Sequence, residues 1–144
     1  MNPVSEDIKD LLVTAGYVFG GTADWAIYIA EEPPKTPAKV ITIYDVPGPR
    51  PDYYMNAARK PLLWPEFQIR VRSTTYLEGW IKQRNVAARI DRHARFTVNG
   101  AESADPKVQY QSITKRTSDP QYLGKDSNNL FLFTWVYQAT RRER

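Results

Sequence analysis

Near its C-terminal end the chain carries Leu130-Phe131-Leu132-Phe133-Thr134-Trp135-Val136-Tyr137, apolar or aromatic at every position but Thr134. A strand with one wet face alternates, so a run that is apolar on both faces predicts a strand covered on both sides. A helix layer is expected on one side and another chain on the other, which puts this strand at the centre of a sheet. A clearer period-2 pattern lies upstream: Phe67, Ile69 and Val71 alternate with Gln68, Arg70 and Arg72, the signature of a strand with one face in the core.

Helical periodicity occurs twice. Ile8, Leu11, Leu12 and Ala15 recur at i, i+3, i+4 and i+7 between Ser5, a candidate N-cap, and Gly16, a stop signal. A longer helix over Thr75 to Asp91 opens with a capping box of Thr75 and Glu78. On a helical wheel its Tyr76, Trp80, Ala87, Ile90 and Ala94 share one face, while Lys82, Asn85, Arg89 and Arg92 share the opposite, outward one. Further strands are expected at Trp25 to Ile29, at Val40 to Val46 and from Val108 to Ile113. Polar segments set off by Asn99-Gly100, Asp105-Pro106 and Thr117 to Asn129 read as connections. These elements define an α/β (α+β) chain. At 144 residues, 42% hydrophobic and 25% charged, one folded domain spanning 1–144 is expected.

Two segments stand apart. Between Pro47 and Pro65 lie five prolines, the aromatics Tyr53, Tyr54 and Trp64, and the charges Arg50, Arg59 and Lys60. Connections of that length are usually functional or disordered, and stiff aromatics beside cations are what protein interfaces use. This loop, at about 47–65, and the basic helix face at Lys82, Arg89 and Arg92 are therefore the candidate protein-interface residues. The other segment, from about residue 139 to 144, holds Arg141, Arg142 and Arg144 and reads as a flexible basic tail.

The chain has no cysteine and one histidine, His93. Disulfides, thiolate metal sites, cysteine nucleophiles and multi-histidine metal sites are therefore excluded. Gly20-Gly21 is followed by neither a lysine nor a helix, so it is no phosphate loop. No catalytic, cofactor-binding or metal residue emerges, and the expectation is a protein that is not an enzyme and uses no cofactor. No apolar run approaches bilayer-spanning length, and the first ten residues are acidic rather than signal-like, so no membrane partner and an initial cytoplasmic location are expected.

Taken together, Pro65-Glu66-Phe67-Gln68-Ile69-Arg70-Val71-Arg72 running into the helix, Val108-Gln109-Tyr110-Gln111-Ser112-Ile113, and Asp119-Pro120-Gln121-Tyr122-Leu123-Gly124-Lys125-Asp126 ahead of the last strand resemble the tail-terminator and minor-capsid (tail completion) proteins of long-tailed bacteriophages. In that family a strand reading V-R precedes a helix of type Y-L-E, and a P-x-x-L-G-x-D segment introduces the last strand. The resemblance implies a single mixed, mainly antiparallel sheet of four to five strands with two helices packed on one face. It also implies a ring of six at the head-proximal end of the virion tail, assembled in the host cytoplasm. Such a ring caps the tail tube, stops its polymerisation and joins the tail to the head. The implied partners are further copies of the chain, the tail-tube protein and a neck or head-completion protein, with DNA passing through the lumen without specific recognition. Alternative readings are a neck or head-completion (head-tail joining) protein, a small nucleic-acid-binding module using the basic helix face and, weakest, a hydrolase built around His93.

Overall fold

The computed structural model describes residues 2–35, 37–49, 62–92, 96–98 and 108–143, with 96–98 and 143 described by backbone alone. In chain order the elements are α1 (Val4–Thr14), β1 (Ala26–Ile29), β2 (Val40–Val46), β3 (Leu62–Leu63), β4 (Glu66–Ser73), α2 (Tyr76–Arg92), β5 (Phe96–Val98), β6 (Val108–Lys115), β7 (Gln121–Lys125) and β8 (Phe131–Glu143).

β8 organises the sheet. The strands run β1-β2-β4-β8-β6-β5, and β3 and β7 also pair with β8. The expected central position of the terminal strand is therefore observed. Only β1 and β2 are parallel; every other pairing is antiparallel. On one side β8 pairs with β4 from Ser73↔Phe131 to Glu66↔Gln138 and then with β3. On the other it pairs first with β7 and then with β6.

Register sets what each face carries. Ile41, Val71 and Phe133 lie in one row, and Ile43, Ile69 and Trp135 in the next. These side chains are buried, and with Tyr110, Ile113 and Ala139 they form the core against the apolar faces of both helices. The opposite face holds Thr42, Gln68, Arg70, Arg72, Leu132, Thr134 and Val136. Arg72 is 1% exposed there, and its guanidinium donates to the carbonyls of Pro33 (2.5 Å), Pro37 (2.7 Å) and Ala38 (3.2 Å). The prolines that forbid regular structure after β1 are thus folded back over the sheet. Asn128 adds a bond from the β7–β8 turn to the Pro34 carbonyl at 2.8 Å.

Local chemistry explains the helix ends, with departures from expectation. α1 begins at Val4, so Ser5 lies inside it, where both its N–H (3.0 Å) and its hydroxyl (2.6 Å) donate to the Asp45 carboxylate at the end of β2. A distant carboxylate thus satisfies one of the first-turn donors and meets the positive helix end. At the other end Gly16, at φ 107°, closes the helix through Gly16 N–H to Val13 and Tyr17 N–H to Leu12, the paired bonds of a Schellman motif. In α2 the Thr75 hydroxyl accepts from the Glu78 N–H at 3.3 Å, but the Glu78 carboxylate meets Thr74 and Lys39.

Several expectations are corrected. Among the described residues the sheet has eight strands, not four to five, because Leu62–Leu63, Phe96–Val98 and Gln121–Lys125 also pair. The first of these lies inside the expected 47–65 loop, and the last inside a segment read as a connection. Of the flexible tail expected at about 139–144, residues 139–143 are instead the end of β8. Arg141 donates to Tyr110 Oη at 3.0 Å and pairs with Asp7 at 3.4 Å, so the charge that suggested a solvated tail is answered inside the fold. Finally, the buried stripe of α2 is Gly79, Gln83, Val86, Ala87 and Ile90, whereas Tyr76 is exposed and Trp80 is half-buried.

Candidate protein interface

Of the expected interface residues, the described ones are Trp64, at the β3–β4 connection, and Lys82, Arg89 and Arg92 on α2. Arg50, Tyr53, Tyr54, Arg59 and Lys60 lie outside the described residues, as does His93. Trp64 is half-buried between β3 and β4, its carbonyl so close to Gly48 that a side chain at that glycine would strike it. Arg89 and Arg92 are exposed on α2. Lys82 is not solvated as expected: it is half-buried, with its ammonium 4.8 Å from the Trp25 ring centre and 5.7 Å from that of Tyr17. Burial, then the nearby Lys39, lowers its pKa below that of an ordinary lysine. It is better described as a bridge between α2 and the α1–β1 side.

The surface that does stand out is apolar. Among the described residues the exposed large hydrophobic side chains number eight, and they fall into two groups. Tyr76, Leu77 and Ile81 lie on α2 and Tyr122 and Leu123 on β7, linked by the Tyr76–Tyr122 contact; Val13, Val18 and Phe19 lie at the end of α1 and in the loop after it. The first group rests on a packed aromatic base. Tyr76 meets Tyr122 edge-on at 5.1 Å between centroids and Phe133 at 5.0 Å, and Trp80 meets Phe133 at 6.2 Å. Such edge-to-face contacts hold rings rigid, so the surface is presented in a fixed shape. Lys125 lies over Phe131 at 4.7 Å, and Arg84 pairs with Asp119 at 3.3 Å. Beside the second group, Lys9 lies over Phe19 at 5.0 Å and is held by Glu6 and Asp10.

Helical spacing carried the missed signal. Leu77 and Ile81 stand four apart on the side of α2 away from the sheet, a pair that a buried stripe centred on Gly79, Gln83 and Val86 leaves outside. Leu123 could not be read in this way. It occupies the register shift between Tyr122 and Gly124, where a bulge re-aims side chains.

Away from this surface, towards the other end of β8, a buried polar group ties the two ends of the chain. Tyr110 donates to Asp7 at 2.5 Å, and Arg141 reaches both of them as well as the Asn2 carbonyl at 2.9 Å. Burial raises the Asp7 pKa, against the opposing pull of the Tyr110 hydrogen bond and the Arg141 charge. It raises that of Tyr110 strongly. No helix among the described residues is long and apolar enough to cross a membrane, and no group of three or more potential metal ligands is found among them.

The fold and this surface define a small α+β protein that presents rigid aromatic and aliphatic side chains at two separate places. Residues 15–142 match the bacteriophage tail terminator protein family, and the chain belongs to that family. It is thus a structural protein of a phage tail, and its family implies contact with other tail components. No curated protein matches the chain.

Proposed function

We propose that the chain is a single-domain tail terminator that assembles as a ring, with six copies the expected number, on the head-proximal end of the tail tube. The ring stops tube polymerisation and then joins the tail to the neck or head-completion protein. Assembly takes place in the host cytoplasm, and DNA later crosses the lumen without sequence-specific contact. No catalytic step is assigned to it. The observation that carries this reading is the family match over almost the whole chain. The two separate apolar surfaces support it, because a protein that must bind copies of itself as well as a tube needs more than one such place.

The decisive experiment is electron microscopy of tails made by phage lacking this gene, with and without the protein supplied in trans. Tubes of uncontrolled length that regain a fixed length on complementation are expected. Tails of normal length that merely fail to join heads would instead identify a neck protein, and infectious particles at normal yield without the gene would refute both readings.

A further inference from the structure

The two exposed apolar groups lie at opposite lateral edges of the sheet, and strand order fixes this. At the end of the sheet where β8 begins, the order across the sheet is β1, β2, β4, β8, β7. Val18 to Gly20 runs along the outer side of β1, joined to it by Ile27 N–H to Val18 and Gly20 N–H to Ile27. β7 pairs with β8 on its inner side, and all its residues but Gly124 are exposed. Four strand spacings of ~4.8 Å separate the two edges by about 20 Å. One edge offers Tyr122 and Leu123, with Tyr76 of α2 packed on Tyr122 and Leu77 next to it in the helix; the other offers Phe19 and Val18.

We propose that these edges are the two halves of one interface between copies of the chain: the α2–β7 surface of one copy packs on the Val18–Phe19 surface of the next. This rests on the ring reading above and deepens it by assigning the subunit contact. Three observations favour a second copy as the occupant. The surfaces differ from each other and lie on opposite edges, so joining them is head-to-tail, an arrangement that does not stop at a dimer and gives a ring where the rotation between copies closes. Their composition fits: both expose large apolar side chains that only a partner would cover, Tyr76, Leu77, Ile81, Tyr122 and Leu123 on the first and Val13, Val18 and Phe19 on the second. Their borders lean to opposite charge: Lys125 flanks the first, where Arg84 is already paired with Asp119, and the second carries Glu6 and Asp10 around the single Lys9.

The test uses two double variants of the full chain, L77D/L123D and V18D/F19D. Leu77 is 64% exposed, Val18 57% and Phe19 54%, so folding should survive the changes, which far-UV circular dichroism checks. Milder L77S/L123S and V18S/F19S variants replace any aspartate variant that fails this check. Native mass spectrometry and sedimentation velocity are run with and without polymerised tail tube. The wild type should form closed rings, and each variant alone should lose self-association by at least about tenfold. Mixed in equal amounts, the variants should form a 1:1 dimer and nothing larger, because only one intact pair of surfaces remains. Rings from either variant alone, or a mixture that stays monomeric while the wild type forms rings, would overturn this interface and leave the ring reading standing. A wild type that stays monomeric both alone and on tail tubes would remove the ring reading itself.

Discussion

Replacing Gly79 by alanine sets two physical effects of opposite sign against each other. Gly79 lies in the first turns of α2, and in an open helix position alanine is favoured over glycine by about 1 kcal/mol. At this position, however, an added Cβ would stand 2.6 Å from Ser73 Oγ and 2.7 and 2.8 Å from Phe133 Cδ2 and Cε2. Carbon atoms prefer roughly 3.5–4.0 Å, so something must move by close to an ångström. The Phe133 ring has no room to give way: it is fully buried and flanked by Tyr76 at 5.0 Å, Tyr122 at 5.2 Å and Trp80 at 6.2 Å. The Ser73 hydroxyl is held by the Thr75 carbonyl at 2.6 Å.

Overpacking of this kind costs ~1–3 kcal/mol, and with helix α2 pinned to β8 the upper part of that range applies. Net of the propensity gain, Gly79→Ala should destabilise the protein by about 1–2 kcal/mol. That is a fall in melting temperature of roughly 3–6 °C for a chain of this size. Ala88→Gly, at an exposed position of the same helix, isolates the propensity effect and should cost about 1 kcal/mol. Urea unfolding of both variants reads the two effects directly. An unchanged or raised stability of Gly79→Ala would show that α2 can lift from β8 at little cost, and that the close approach at Gly79 is not what fixes the helix.

Arg72→Met should lose about 3 kcal/mol, because it strips charge-assisted donors from four backbone carbonyls, those of Pro33, Pro34, Pro37 and Ala38; faster hydrogen exchange at the Lys35, Ala38 and Lys39 amides would locate the effect, and a loss under about 1 kcal/mol would refute it. Asp7 predicts a pH dependence. Its folded pKa is raised from the usual 3.8, chiefly by burial, so the stability it contributes is full below that value and is lost as pH rises through the raised one. The stability of the wild type relative to Asp7→Asn should therefore grow as pH falls from 7 towards 4 in paired urea titrations, and a constant or shrinking difference would refute the assignment.

What could be read in the sequence is what local pattern encodes. β2 runs over the expected residues, β4 and α2 lie within a residue or two of expectation, and α1 carries its apolar spacing of Ile8, Leu11 and Leu12 into the core. The three short strands could not be read in that way. Leu62–Leu63, Phe96–Val98 and Gln121–Lys125 have no periodicity long enough to declare themselves, and pair because β8 or β6 offers a ladder. The fate of Arg141 was hidden for the same reason: its partner Asp7 is 134 positions away. The expected interface loop around Tyr53 and Tyr54 lies outside the described residues, and Lys82 left the proposed basic face because Trp25 and Tyr17 receive it.

The run that is apolar on both faces of β8 bears most directly on assembly. Its pattern led to the expectation of a helix layer on one side and another chain on the other. The helix layer is present, with Phe133, Trp135 and Tyr137 beneath it. On the far side the chain provides cover of its own: Arg72, in register with Leu132, binds the Pro33–Ala38 segment, and Gln68 bonds Thr134 across the strands at 2.5 Å. A partner approaching that part of the face would have to displace backbone carbonyls from a buried guanidinium, at a cost of several kcal/mol. Approach at the edges carries no such penalty, since Tyr122, Leu123, Val18 and Phe19 are already exposed there and lose only water. Contacts between copies should therefore run side by side along the sheet edges, in the direction that builds a ring, and the stacking of one sheet face on another is the less favoured route.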